Sequence, residues 1–186
     1  VPLVRVVPVV SGLSHPWGMA FRSNGDILVT EREGRLRVIR NGQLLEPDMP
    51  GVPEVFAGRD RAGLMDIALH PDDDRIVYLT YTKSIEHEGE PAETVALARG
   101  RLDGDELTEV RDIFVAVGLD DGIAASRLLF RPDGTLLMSV GGSYVFAQTG
   151  SYAQDPGTHF GKLLRLNDDG TAAHDNPFIG NADYLP

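Results

Sequence analysis

Apolar residues in this chain fall in short runs. DILVTE (26–31), RLRVIR (35–40), RIVYLTY (75–81), TVALARGRL (94–102), RLLF (127–130), TLLMSV (135–140) and KLLRL (162–166) are rich in β-branched side chains. Such runs fit the pleated surface of a strand. The turn sequences SNGD, REGR, RNGQ, LDGD, RPDGT and NDDGT separate them. Asn-Gly and Asp-Gly supply the positive φ angles that tight hairpins require. No segment of ten or more residues carries a helical period, so the pattern predicts an all-β protein. The opening VPLVRVVPVV is apolar but broken by Pro2, Arg5 and Pro8, which predicts an entry strand rather than a helix. The charged stretch SIEHEGEPAE, with His87, reads as a solvated loop.

The strands recur as a unit. WGMAFRSNGDILVTE, GLMDIALHPDDDRIVYLTY and SRLLFRPDGTLLMSVGG each run from one strand through a turn into a second, more apolar strand. The more polar RLRVIRNGQL, TVALARGRLDGDELTEV and GKLLRLNDDGT follow in turn. The matching points Ala20, Ala68 and Leu129 lie about 50–60 residues apart, near the period of a four-stranded propeller blade. A two-sheet sandwich predicts short strands but not this repeat. The expected fold is about three blades of a six-bladed β-propeller in one domain, with blades near 11–60, 61–120 and 121–180. Three blades do not close a ring. The expectation is that further blades follow Pro186, or that two copies assemble as a homodimer.

Composition narrows the partners. The formal net charge is −11 with no Lys/Arg cluster, so phosphate backbones and anionic membrane surfaces are repelled. No apolar run is long enough to insert in a bilayer as a helix. Cysteine is absent, which removes disulfides and thiolate chemistry. No signal peptide stands at the start; an exported protein would already have lost it.

Four ordered blocks carry a resemblance. GLSHPWGMAFRSNGDILVTEREGRLRVIRNGQL (12–44), AGLMDIALHPDDD (62–74), SRLLFRPDGTLLMSVGG (126–142) and THFGKLLRLNDDGTAAHDNPF (158–178) resemble the soluble aldose sugar dehydrogenases that depend on pyrroloquinoline quinone (PQQ), the glucose/sorbosone dehydrogenase family, over its N-terminal half. The resemblance implies a six-bladed propeller, of which this chain covers the first three blades. It also implies PQQ and a calcium ion above the ring, and a periplasmic or secreted location. A histidine then acts as base on the sugar C1 hydroxyl while hydride passes to the quinone. Such a base must be a neutral imidazole within hydrogen-bond reach of the hydroxyl.

The resemblance also implies where this sequence departs from the pattern. The base position, four residues before Arg127, is Ile123, which cannot take a proton. The acid position in the following Gly-Asp pair is Gly142, and a position usually held by Gln or Glu is Arg61. The remaining substrate- or cofactor-facing candidates are Asp120, Asp121, Arg127, Tyr144 and Tyr152. Arg61 could bind a planar anion, and the two tyrosines could stack on a sugar. Arg127 reads first as structural, pairing with an acid under the top surface, and second as facing a ligand. His15, His70, His159 and His174 read as strand-end or turn histidines, and Trp17 as blade packing. The turns at Asp72–Asp74 and Asn167–Gly170 lack a complete calcium-loop spacing.

Three functions remain open on the sequence. The first is PQQ-dependent oxidation of an aldose at C1, absent or altered in this segment because of Ile123. The second is a non-catalytic module that binds a small ligand or a protein. The third is a calcium-dependent lactonase-type hydrolase, for which Asp66 is the main candidate ligand.

Overall fold

A computed structural model describes residues 3–58, 62–119, 124–141 and 149–185. Eleven strands and one short helix are assigned among them. The strands form three antiparallel sheets. The first holds β1 (Pro16–Phe21), β2 (Ile27–Glu31), β3 (Arg35–Arg40) and β4 (Gln43–Leu44) in sequential order. The second holds β5 (Leu64–His70), β6 (Asp73–His87), β7 (Glu90–Asp103) and β8 (Glu106–Val115), again in order. The third holds β9 (Leu128–Phe130), β10 (Leu136–Val140) and β11 (Lys162–Leu166), with β11 at its edge. A single bridge from Leu166 to Ala172 starts a fourth strand.

The first strands of the sheets stand side by side, β1 against β5 and β5 against β9. The sheets are therefore successive wedges, three blades of a β-propeller, with β1, β5 and β9 innermost. Two cores glue the wedges together. One joins Leu28, Leu36 and Val38 of the first blade to Val77, Leu79, Tyr81 and Ala98 of the second. The other joins Met65, Tyr78, Val95 and Leu97 of the second blade to Leu136, Met138, Val140 and Leu166 of the third. The middle blade is thus apolar on both faces. Alternate residues of β6 serve opposite cores, as the period of two along a strand demands.

Polar links reinforce the rims. Arg40 on β3 bonds both Asp26 and Asp105, so the first blade is tied to the β7–β8 turn. The Ser23 hydroxyl donates to Asp74 at 2.6 Å. Glu31 is fully buried, and its carboxylate accepts the Ser14 amide at 2.6 Å and Arg35 Nε at 2.6 Å. Burial pushes its carboxyl up, but the Ser14 amide and the Arg35 and Arg37 guanidiniums outweigh that and hold it below the usual value.

Three segments differ from expectation. The stretch 84–93 is not a loop. The β6–β7 hairpin stays paired out to His87–Glu90, past the ends of its neighbours β5 and β8. Its tip turns at Glu88 and Gly89, both at positive φ (53° and 82°), the signature of a tight hairpin turn that the surrounding charges disguised. Although the chain shows no helical period, residues Thr149–Gln154 form a short helix, α1. The Lys162 ammonium caps its end by donating to the Tyr152 carbonyl at 2.7 Å and the Asp155 carbonyl at 2.9 Å. The opening residues 3–13 lie in no strand, where the sequence predicts an entry strand.

Candidate functional site

At the same place in each blade, an amide of the innermost segment donates to a hydroxyl from the second strand of its own blade. The Gly18 amide donates to Thr30 Oγ1 at 2.9 Å, the Asp66 amide to Thr80 Oγ1 at 3.0 Å, and the Arg127 amide to Ser139 Oγ at 2.9 Å. In the first two blades these positions lie within a register shift of the inner strand, between Pro16 and Met19 and between Leu64 and Ile67. A bulge leaves an amide without its ladder partner, and the hydroxyl supplies one. The next ladder bond recurs too: Arg32, Thr82 and Gly141 donate their amides to the His15, Gly63 and Ala125 carbonyls.

These three equivalent positions converge on the axis. The Asp66 carboxylate accepts Arg127 Nη1 at 3.1 Å and the Leu128 amide at 2.8 Å. A methyl group built on Gly18 would stand 2.6 Å from Asp66 Oδ1, so only glycine lets β1 approach this closely. Around the clasp lies a cleft of about 310 Å³ lined by Trp17–Met19, Asp66, Ile67, Arg127 and Leu128. The Arg127 side chain is largely exposed within it. Trp17 is half-buried and packs against the second core.

The arrangement has limited chemistry of its own. Both Asp66 oxygens are engaged by donors, so the carboxylate offers little to a cation. Among the described residues, no group of three His, Asp or Glu side chains could hold a metal ion. Arg127 is already matched to Asp66. The described residues therefore do not by themselves fit a PQQ–calcium centre.

Of the residues selected from the sequence, Arg127 lies in the axial cleft, paired with Asp66. Tyr152, on α1, packs against the second core. Ile123, Gly142, Arg61, Asp120, Asp121 and Tyr144 lie outside the described residues. His159 is buried, its Nδ1 accepting the Val117 amide at 2.8 Å and its ring edge-on to Phe114 at 5.0 Å. Burial, with a smaller effect of Lys162, lowers its pKa and keeps the imidazole neutral. His15 pairs with Glu33 at 2.8 Å, and His70 Nδ1 accepts the Asp72 amide.

Gly18 and the three hydroxyls escaped the reading of the sequence. Their signal was present: DILVTE, RIVYLTY and TLLMSV each carry one Thr or Ser at the corresponding place. In a strand, however, Thr is unremarkable on propensity alone.

The family model described as Glucose / Sorbosone dehydrogenase matches residues 13–186. The chain belongs to this family. Among its relatives in the glucose/sorbosone dehydrogenase family is the aldose sugar dehydrogenase YliI of Escherichia coli, 33% identical over 95% of this chain and 47% of that protein. An uncharacterized protein of Synechocystis is 42% identical over 100% of this chain and 48% of its own length. The chain thus spans about half the length of the curated relatives it matches. Solved structures agree. The apo soluble aldose sugar dehydrogenase of E. coli matches at a TM-score of 0.82 and 33% identity, over 93% of this chain and 50% of that one. The PQQ-bound aldose sugar dehydrogenase of Streptomyces coelicolor matches at 0.77 and 30%, over 92% and 50%. No helix among the described residues is long and apolar enough to cross a membrane.

Proposed function

We propose that this chain forms the first half of a sugar dehydrogenase propeller that oxidises an aldose at C1 with PQQ and calcium, in the periplasm or as a secreted protein. One observation carries the reading: three consecutive blades match half of a PQQ-bound aldose sugar dehydrogenase across nearly their whole length. Each sheet is taken as one blade, near 11–60, 61–120 and 121–180, within one domain. The ring is completed by a second half or by a second copy of the chain.

In this reading the blades supply the scaffold and the axial clasp, while residues 1–186 alone do not turn over sugar. Ile123 offers no base and Gly142 no carboxylate to orient one. Arg61, Asp120, Asp121 and Tyr144 remain the candidates for contact with ligand at the mouth. A calcium-dependent lactonase has less support, because its main carboxylate, Asp66, is held by Arg127 and Leu128.

The test is dye reduction by residues 1–186 with PQQ, calcium and a panel of aldoses. No saturable turnover is expected. Clear turnover overturns the assignment of Ile123 to the base position. Supplying the missing half in trans should give sugar-dependent dye reduction only if that half brings its own base.

A further inference from the structure

We infer that His159 is a positioning residue for the candidate mouth: its imidazole latches the crossover 116–118 that leads into Asp120, Asp121 and Ile123. The inference rests on the proposed reading of those residues as part of the mouth and names what sets their place.

The crossover leaves β8 and is gripped from two sides. On one side stands the second blade. The Ala116 amide donates to the Val95 carbonyl at 2.8 Å. The fully buried Thr94 hydroxyl lies 2.9 Å from both the Ala116 and the Gly118 carbonyls. On the other side stands the segment before β11. The Thr158 hydroxyl and the His159 amide both donate to the Val117 carbonyl at 2.9 Å. The Val117 amide donates back to His159 Nδ1 at 2.8 Å. His159 thus holds Val117 at its amide and at its carbonyl. A methyl built on Gly118 would stand 2.5 Å from Thr158 Oγ1 and 2.7 Å from the Phe160 ring, so the clamp closes on bare backbone.

The far end of the span is fixed as well. Ala124 is fully buried in the second core, and the Ala125 carbonyl accepts the Gly141 amide at 2.6 Å. Five residues separate Gly118 from Ala124. A connection that short reaches at most about 20 Å when fully extended, so its two anchors decide where it can go.

The latch works in one protonation state. A backbone amide only donates, so His159 Nδ1 must keep its lone pair. An imidazolium cannot accept, and protonation breaks the bond to Val117. Among the described residues, Phe114 of β8 packs edge-on to the ring and Lys162 of β11 supplies the nearby charge. Asp155 acts on Lys162 in turn. Burial and the Lys162 ammonium both oppose a positive imidazole. The latch is therefore closed at neutral pH and opens below the ordinary imidazole range.

The chain has no cysteine, so a nitroxide on Asp121→Cys reports on this span alone. Glu88→Cys, at the tip of the β6–β7 hairpin, carries a control label. Restricted motion at position 121 is expected at pH 7.5, with the rotational correlation time falling at least about twofold by pH 5. His159→Phe cannot accept the amide and should give the mobile spectrum at both pH values. His159→Asn, whose Oδ1 replaces Nδ1 without titrating, should keep the restricted spectrum at both. The label at position 88 should change in none of these. Equal mobility at 121 in the parent and in His159→Phe overturns the inference. So does a His159→Asn protein that loosens with pH as the parent does. A change at 88 as large as that at 121 also overturns it, because the loosening is then general. If His159→Phe does not fold, the comparison of the parent with His159→Asn decides alone. The label reads the latch whether or not sugar is oxidised, and dye reduction tests that reading separately.

Discussion

Asp66 and Arg127 meet at 3.1 Å although 61 residues separate them, and the same carboxylate takes the Leu128 amide. One side chain of the middle blade thereby fixes the start of the inner strand of the next. The two ends of this contact differ in environment. The Asp66 side chain is 9% exposed and that of Arg127 is 68% exposed. Asp66→Ala leaves the half-buried Leu128 amide without its acceptor, which costs about 1–3 kcal/mol. Arg127→Ala breaks a solvent-screened pair and costs at most about 1 kcal/mol. Urea midpoints of the two variants should fall in that order; a larger loss from Arg127→Ala would contradict it.

Gly18 faces the same carboxylate. Gly18→Ala puts a methyl 2.6 Å from Asp66 Oδ1 and 3.1 Å from its Cα. Overpacking of this kind costs about 1–3 kcal/mol. Combining it with Asp66→Ala removes part of the clash, so the double variant should lose less than the sum of the singles. A thermal or urea cycle on the four proteins measures this directly, and strict additivity would show that the contact is not shared.

The hydroxyls that accept the three inner amides are unequal. Thr80 Oγ1 serves the Asp66 amide in a buried setting, whereas Ser139 Oγ serves the Arg127 amide near solvent. Thr80→Val should cost about 1–3 kcal/mol. Ser139→Ala should stay within about 0.5 kcal/mol, since water replaces the lost partner. Hydrogen exchange at the Asp66 amide should accelerate in Thr80→Val while exchange at distant amides of the blade changes less.

His159 gives the fold a pH dependence of definite sign. Burial, then Lys162, lowers its pKa below the ordinary imidazole value. Below about pH 6.5 the unfolded chain therefore binds a proton that the folded chain refuses. The stability His159 contributes is complete above that pH and is lost as pH falls through the lowered value. Unfolding free energies between pH 7.5 and 5 should decline more steeply in the parent than in His159→Phe. Equal slopes would mean the imidazole is not held neutral.

Much of the fold was readable because turn chemistry and strand period are local. Asn41 and Gly42 take positive φ (52° and 73°) between Arg40 and Gln43, as RNGQ demands. The matched points Ala20, Ala68 and Leu129 each stand two residues beyond the axial trio Gly18, Asp66 and Arg127, so the repeat read from the sequence is in register with the structure. What escaped depends on contacts distant in sequence. The Asp66 clasp is invisible to any local window, and α1 is too short for a period to show. The acidic hairpin tip at Glu86–Glu90 looked like a loop because charge was weighed above the Glu-Gly turn. The candidate mouth is less accessible still, since Ile123, Gly142 and most ligand-facing candidates lie outside the described residues.

The hydroxyls of Thr30, Thr80 and Ser139 act over only 12 or 14 positions of chain, while the Asp66 clasp spans 61. Short loops close with little entropic penalty and long ones form late. Each wedge can therefore set its own strand alignment before it meets a neighbour, and the clasp then locks two finished pieces. A molecule assembled this way lends itself to transplanting or shuffling whole wedges, provided the donor carries its own hydroxyl and the seam keeps its single acid.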